Sequence, residues 1–357
     1  MVLHAPIASP EQSEALAKCI LAKLGGTYDL DGHKVVVTAS MGIAIAKSQI
    51  DPDQFLRNAD MALYRAKSEG RGTWRWFETN MEVRAQARRT LELDLRNALE
   101  TDAFELHYQP LFNLKTRSIQ TCEALLRWPH PARGMVPAGE FIPVAEEMGL
   151  ILEIGKQVLN KACLECLKWP GSTSVAVNLS SMQFSRSNVP ALVRDVLAAT
   201  NLSANRLEIE ITETTLLQDT IRTRHDLHQL ERLGVKISLD DFGTAYSSLS
   251  YLHSFPFHKV KIDQSFLRGL VDDERRLTLL RGMTRLSAQL GLHVVVEGVE
   301  TEEQFELLLS DDSVEEAQGY LLCRPMPASD VRKLLYASYV SPSDTSLWSA
   351  PLRQGVA

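Results

Sequence analysis

Five short apolar runs in this sequence each end in a carboxylate or an amide. They are Ser174-Val175-Ala176-Val177-Asn178, Arg206-Leu207-Glu208-Ile209-Glu210, Lys236-Ile237-Ser238-Leu239-Asp240-Asp241, Lys259-Val260-Lys261-Ile262-Asp263 and His293-Val294-Val295-Val296-Glu297. A further segment, Thr121-Cys122-Glu123-Ala124-Leu125-Leu126-Arg127, sets Glu123 among apolar residues. Strands laid side by side would bring the polar ends of these runs to one rim, where barrel enzymes carry their chemistry. Acidic groups at equivalent positions repel one another unless cations sit between them, so the pattern implies metal. Carboxylates and one Asn amide select hard cations such as Mg2+ or Mn2+ over thiophilic metals. Adjacent residues on a strand face opposite ways, so Asp240 and Asp241 share a site only where the strand ends, and Phe242-Gly243 is the expected turn. Lys261, two before Asp263, projects inward with it.

The elements that must position these residues follow from periodicity. Short β-branched runs separated by amphipathic stretches predict parallel strands joined by helices. Strands are expected over 104–111, 119–126, 174–178, 206–211, 236–240, 258–262, 292–296 and briefly near 315–318. Helices are expected over 153–168, 189–199, 222–233, 273–290, 301–309 and 328–336. Roughly 240 residues with about eight strands is the size of a TIM-type (β/α)8 barrel, placed here at 101–337. A charged helical linker covers 79–100, and a flexible Ser/Pro-rich tail 338–357. The front piece, 1–78, reads as a helix over 11–24 stopped by Gly25-Gly26, strand character over 35–46, a helix over about 52–68 and a short strand at 73–77. That is thin for an independent α/β domain.

At 357 residues, 45% hydrophobic and 23% charged, the chain is an ordinary globular protein. A net charge of -7 argues against nonspecific binding of DNA or RNA. Cys163 and Cys166 form a C-x-x-C inside a predicted helix, which suits buried thiols better than zinc or redox chemistry. An odd cysteine count fits a reducing compartment. No run reaches the roughly 18 apolar residues of a membrane span, and no signal peptide is evident, so the expected location is cytoplasmic.

Glu123-Ala124-Leu125-Leu126-Arg127-Trp128 resembles the signature of the EAL family of cyclic di-GMP phosphodiesterases. The resemblance runs over about 88–337 and takes in Tyr108-Gln109-Pro110, Asn178-Leu179-Ser180, Glu210-Ile211-Thr212-Glu213, Asp240-Asp241-Phe242-Gly243-Thr244, Lys261-Ile262-Asp263, Glu297-Gly298-Val299-Glu300 and Gln318-Gly319-Tyr320. It implies an α/β barrel, two Mg2+ or Mn2+ ions and hydrolysis of cyclic di-GMP to linear pGpG. By the same resemblance Glu123, Asn178, Glu210 and Asp240 hold one ion, and Asp240 and Asp241 the second. Lys261 and Glu297 would manage the nucleophilic water and developing charge. Gln109 and Arg127 would bind substrate, Gln318 would close the site, and Glu213, Asp263 and Glu300 would organise adjoining loops. Simpler roles stand beside these: a cap for Asp263, a turn for Asn178, a rim ion pair for Arg127, and helix N-terminal charge for Glu297 and Glu300.

The family loop usually continues Phe-Gly-Thr-Gly, and here Ala245 replaces the second glycine. If that position needs positive φ, alanine costs on the order of 1 kcal/mol. The segment from Thr244 to Phe257, with Tyr246, Tyr251, Leu252, Phe255 and Phe257, is expected either to pair two copies as a homodimer or to cap the barrel. Upstream, Thr38-Ala39-Ser40-Met41-Gly42-Ile43-Ala44 and Asn58-Ala59-Asp60-Met61-Ala62-Leu63-Tyr64-Arg65-Ala66-Lys67 resemble the second half of a GGDEF (diguanylate cyclase-type) domain. Met1-Val2-Leu3 looks like the strand after its motif. The motif itself is missing, so no cyclase activity is expected of this truncated piece, and a sheet edge would be exposed. A receptor that binds cyclic di-GMP without cleaving it is the alternative, disfavoured because no carboxylate is lost. A purely structural interaction module would also need lost substrate contacts.

Overall fold

The computed structural model describes residues 9–30, 33–45, 51–78, 80–217, 220–244, 252, 254–271 and 273–340. The expected strand at 1–3, Ala245, Tyr246, Tyr251 and the tail beyond 340 lie outside the described residues. The chain divides into two compact units, Met1–Asp94 and Leu95–Ala357.

The first unit begins with helix α1 (Pro10–Leu24), started by Pro10 and capped by Ser9, which accepts from the Gln12 backbone. Strands β1 (Gly26–Leu30) and β2 (His33–Val37) form an antiparallel hairpin. Strand β1 lies outside the elements expected from sequence, although Asp31-Gly32, which follows it in the chain, is a usual hairpin signal. Strand β3 (Met41–Ile43) pairs in parallel with β4 (Trp74–Trp76). Helix α2 (Pro52–Ser68), capped by Asp51, packs on β3 and β4. That approach requires Gly42, since a Cβ there would stand 2.0 Å from the Ala59 carbonyl oxygen. Helix α3 (Asn80–Glu100) covers the expected linker.

In the second unit β5 (Glu105–Asn113), β6 (Ile119–His130), β8 (Ser174–Asn178), β9 (Leu207–Thr212), β10 (Lys236–Phe242), β11 (Lys259–Ile262), β12 (His293–Val296) and β13 (Glu316–Ala317) close a barrel. Two short strands, β7 (Gly134–Val136) and β14 (Met326–Pro327), extend β6 and β5. The barrel is TIM-like with one difference from the all-parallel expectation: β5 runs antiparallel to both β6 and β13. Its link to β6 is a tight turn in which Asn113 Oδ1 accepts from the Lys115 and Thr116 backbones. A parallel crossover needs a dozen or more residues, which this turn lacks.

Strand alternation sorts the residues. Val175, Val177, Ile209, Ile211, Ile237, Val260, Ile262, Val294 and Val296 are fully buried on the outer face, where helices such as Ile151–Cys166, Thr220–Arg232 and Glu274–Gln289 cover them. Each such burial is worth about 1.5–3 kcal/mol. The alternate positions point into the lumen and are mostly polar. Helix ends agree with expectation to within a few residues, but Ala138–Glu147 was unforeseen because Pro143 inside it reads as a breaker. Cys163 and Cys166 are buried free thiols on their helix, as expected. Among the described residues no helix is long and apolar enough to cross a membrane.

Because the barrel closes on itself within the second unit, a chain of residues 80–357 should melt cooperatively and retain helical circular dichroism. A non-cooperative melt would show that the barrel depends on the front piece.

Candidate active site

One lumenal layer collects most of the residues singled out from sequence. Lys261, fully buried on β11, places its Nζ 3.2 Å from Glu123 Oε2, 3.1 Å from Glu210 Oε1, 3.3 Å from Asp240 Oδ1 and 2.6 Å from Glu297 Oε1. Asp240, Asp241 and Glu297 bring carboxylate oxygens within 4.8 Å of one another. Asn178, the last residue of β8, donates from Nδ2 to Glu123 Oε1 (2.7 Å) and Glu210 Oε2 (3.2 Å). Gln318 donates to Glu123 Oε2 (2.9 Å) and Gln109 Oε1 (3.1 Å), and Gln109 donates to the Cys323 carbonyl (2.9 Å). The two glutamines therefore form a buried chain that fixes Glu123. Gly319 lets this corner close, since a Cβ there would meet the Val299 backbone at 2.2 Å.

Asp240 and Asp241 share the site at the strand end, where the expected turn at Phe242-Gly243 is present: the Thr244 backbone donates to the Asp241 carbonyl at 3.3 Å. The strand continues through Phe242, and its register against β11 shifts between Leu239 and Phe242. Asp241 itself takes φ +54°, a left-handed conformation that Asp tolerates better than most residues. Thr244 braces it, donating from Oγ1 to the Asp241 carbonyl at 2.9 Å. The bulge turns the second carboxylate toward the first.

The remaining expected residues lie around this layer. Glu213 is buried at the head of the short helix following β9. Asp263 is half-buried, accepts from the Ser265 backbone at 2.9 Å as a cap, and its charge adds to the forces raising Asp241. Arg127 is half-buried, donates to the Leu126 carbonyl, and among the described residues forms no ion pair, so the rim-pair role is not found. Glu300 is exposed, outside the carboxylate cluster. With Tyr320, Leu321 and Arg324 it lines a pocket of about 430 Å³, where the Arg324 guanidinium lies 4.5 Å from the Tyr320 ring centre. Tyr320 belongs to the Gln318-Gly319-Tyr320 motif but has no role assigned from sequence, and Arg324, four residues further on, lies outside every motif. Leu252, Phe255 and Phe257 are buried within the chain, which matches the capping reading of their segment.

Charge decides what this layer can hold. Each carboxylate near 3 Å gains about 5 kcal/mol from the ammonium at an effective dielectric of about 20, but mutual repulsion and lost hydration oppose it. An ammonium has three N–H bonds for four carboxylates, and Glu210 Oε1 and Asp240 Oδ1 are buried without a directed hydrogen bond. With all five carboxylates ionised, one ammonium would leave four negative charges, which two divalent cations would balance. The oxygen donors and the orphaned oxygens fit such ions.

Protonation follows the same balance. Burial lifts Glu210 well above the usual carboxylate range, aided by Glu123, Asp240 and Glu208 and opposed by Lys261. Burial also raises Asp240 against the pull of Lys261. Asp241 rises to about 6 through burial and the charges of Asp240 and Asp263. Glu297 rises to about 8 through burial, with Asp240 and Glu123 outweighing part of the Lys261 attraction. Burial works to raise Glu123 too, but Lys261, Gln318 and Asn178 together hold it below the usual value. Burial would lower Lys261, yet the surrounding carboxylates raise it well above the ordinary lysine value, so it stays charged.

The second unit is thus a closed barrel with one antiparallel strand, enclosing a layer of carboxylates around a lysine. The chain belongs to the EAL domain family, which matches residues 92–325. The family described as diguanylate cyclase, GGDEF domain matches residues 1–73. The chain is 43% identical to an uncharacterised protein, y4lL, of Sinorhizobium fredii over 94% of its own length and 40% of that protein. It is 39% identical to the bifunctional diguanylate cyclase/cyclic di-GMP phosphodiesterase MucR of Pseudomonas aeruginosa, over 90% of this chain and 48% of MucR. The solved PaMucR phosphodiesterase in complex with c-di-GMP superposes with a TM-score of 0.64 at 41% identity, covering 68% of this chain and 99% of that one. The chain thus spans less than half the length of these two curated relatives.

The raised carboxylates predict a pH dependence with a definite sign. Folded, Glu297 keeps its proton up to about pH 8 and Asp241 up to about 6. Unfolded, both release it in the ordinary range near 4, so the folded chain binds more protons in between and loses stability as pH rises. In chelator, the melting temperature should fall from about pH 5 to about pH 8, and Glu297→Gln should flatten that slope. A melting temperature that rises across this window in the wild type and is unaffected by Glu297→Gln would overturn the assignment.

Proposed function

We propose that this chain hydrolyses cyclic di-GMP to linear pGpG. The observation that carries the reading is the complete set of Glu123, Asn178, Glu210, Asp240 and Asp241 gathered with Lys261 and Glu297 in one lumenal layer. Its similarity to the PaMucR phosphodiesterase–c-di-GMP complex supports the choice of substrate. Glu123, Asn178, Glu210 and Asp240 would hold one Mg2+ or Mn2+ ion, and Asp240 with Asp241 the second. When bound, such a pair supplies a nucleophile at neutral pH and neutralises phosphoryl charge.

The chain's own groups account for the rest. Glu297 keeps 19% of its side chain exposed, more than the other partners of Lys261. Paired with Lys261 at 2.6 Å and reaching solvent, its ionised carboxylate is placed to take a proton from an attacking water and pass it on. Lys261 holds Glu297 in place and offers positive charge to the phosphoryl group. Water adds at phosphorus, the bond to the 3′ oxygen breaks, and that oxygen leaves with a proton. Arg127, which forms no ion pair among the described residues, suits a phosphate contact. The pocket of Glu300, Tyr320 and Arg324 offers a planar guanidinium–ring platform for a guanine base. Every residue assigned to the site lies within 101–337, so on this reading the front piece is dispensable for the chemistry. A homodimer belongs to the same reading, but Leu252, Phe255 and Phe257 are already buried within one chain and are not its contacts; sedimentation tests it.

The test is incubation of purified protein with cyclic di-GMP and Mg2+ or Mn2+, with pGpG as the readout. Glu123→Ala or Asp240→Ala and excess chelator should each abolish turnover, whereas Lys261→Ala should cut kcat far more than ligand affinity. Tight binding of cyclic di-GMP with no pGpG under any metal would replace the enzyme with a receptor. Full turnover in chelator would remove the ions from the mechanism.

A further inference from the structure

A second ionic layer lies in the lumen beneath the first, and the proposed hydrolysis makes no use of it. Lys259 Nζ stands 3.1 Å from Glu208 Oε2 and 3.0 Å from Glu316 Oε2, with Thr121 Oγ1 at 3.5 Å. All four side chains are buried. Glu208, Lys259, Glu316 and Thr121 sit two residues before Glu210, Lys261, Gln318 and Glu123 on their respective strands. Two residues is one full repeat of strand alternation, so each upper residue inherits the height and inward direction of the one below.

The strands carrying this triad are not neighbours. The order around the barrel is β9, β10, β11, β12, β13. The Lys259–Glu208 pair therefore passes over β10 and the Lys259–Glu316 pair passes over β12. Strand β13 is only Glu316–Ala317, flanked by backbone bonds from Glu315 to the Val294 carbonyl and from Gln318 to the Val296 carbonyl, and the ion pair adds a constraint that this short pairing lacks. Its ion pair to Lys259 is a tie across the lumen rather than along the sheet.

We infer that Glu208, Lys259 and Glu316 are positioning residues that set the relative heights of β9, β11 and β13, and through them the spacing of Glu210, Lys261 and Gln318 in the layer above. The claim rests on the reading of the upper layer as a divalent-ion site. An ion pair is not the cheapest way to fill a buried volume, since apolar replacements of similar size are often as stable or more so. A layer kept only for stability would thus be replaceable at no cost to the site above.

The test compares wild type with Lys259→Met alone and with the charge-free triple variant Glu208→Gln/Lys259→Met/Glu316→Gln, using the full chain. Lys259→Met strands two buried carboxylates and is expected to lower the melting temperature. The triple variant strands none and should melt near wild type. Mn2+ affinity, read by calorimetry without substrate, should nonetheless weaken about 10- to 100-fold in the triple variant, the usual cost of disturbing groups behind metal ligands. Its kcat should fall with little change in KM. A folded triple variant with wild-type Mn2+ affinity and kcat would reduce the triad to core filling and overturn the inference. Absence of Mn2+ binding by wild type would overturn the site reading itself, a separate result.

Discussion

The structure depends on one buried ammonium. Lys261 is the shared counter-ion of Glu123, Glu210 and Asp240 on three other strands and of Glu297, the residue just past β12. Removing one partner of a buried ionic cluster costs several kcal/mol because the remaining charges stay desolvated. Those strands must therefore arrive at compatible heights or the lumen is untenable. The outer face leaves that choice open, since Val and Ile pack against helices at more than one register. The polar interior removes the freedom.

The same constraint explains why the lumen is divided into layers. Each strand repeats its inward position every second residue, and the barrel uses that repeat twice, as Lys259 then Lys261 and as Glu208 then Glu210. Strand β5 breaks the parallel rule but not the layering. Running antiparallel, it sets Gln109 opposite Glu123 in mid-strand. Gln109 accepts from Gln318, which in turn donates to Glu123 Oε2 while Asn178 donates to Oε1, so both Glu123 oxygens are engaged by amides.

Much of this was legible in the sequence because two periodicities carry it. Apolar alternation located the barrel strands, and helical stride located most helices. Carboxylates at strand ends marked Glu210, Asp240 and Glu297. What stayed hidden depends on contacts between distant segments. Nothing local in Gln109 or Gln318 announces that their amides meet, because 209 positions separate them in sequence. The lower triad was visible in principle as the two-residue echo of Lys261 and Glu210, but a buried Lys259 cannot be told from a surface lysine until the barrel closes. The antiparallel β5 was hidden behind an apolar run that suits either direction.

Asp241 shows how the layer overrides local preference. A regular strand would have sent it outward, into the helix layer, where a carboxylate has no partner. The chain instead adopts a left-handed backbone at a non-glycine residue, at a cost of order 1–2 kcal/mol, and slips register against β11. That cost is smaller than burying an unpaired carboxylate among apolar helices. Glycine at 241 would relieve the backbone but remove the charge, so the strain stays with the residue whose carboxylate the cluster uses. Gly243 follows at φ +96°, where any Cβ would strike the Phe266 ring at about 2.5 Å, and Thr244 ties the turn back to the Asp241 carbonyl. The loop is thereby held from both sides of the strained residue, and the bulge is a fixed part of the site's geometry.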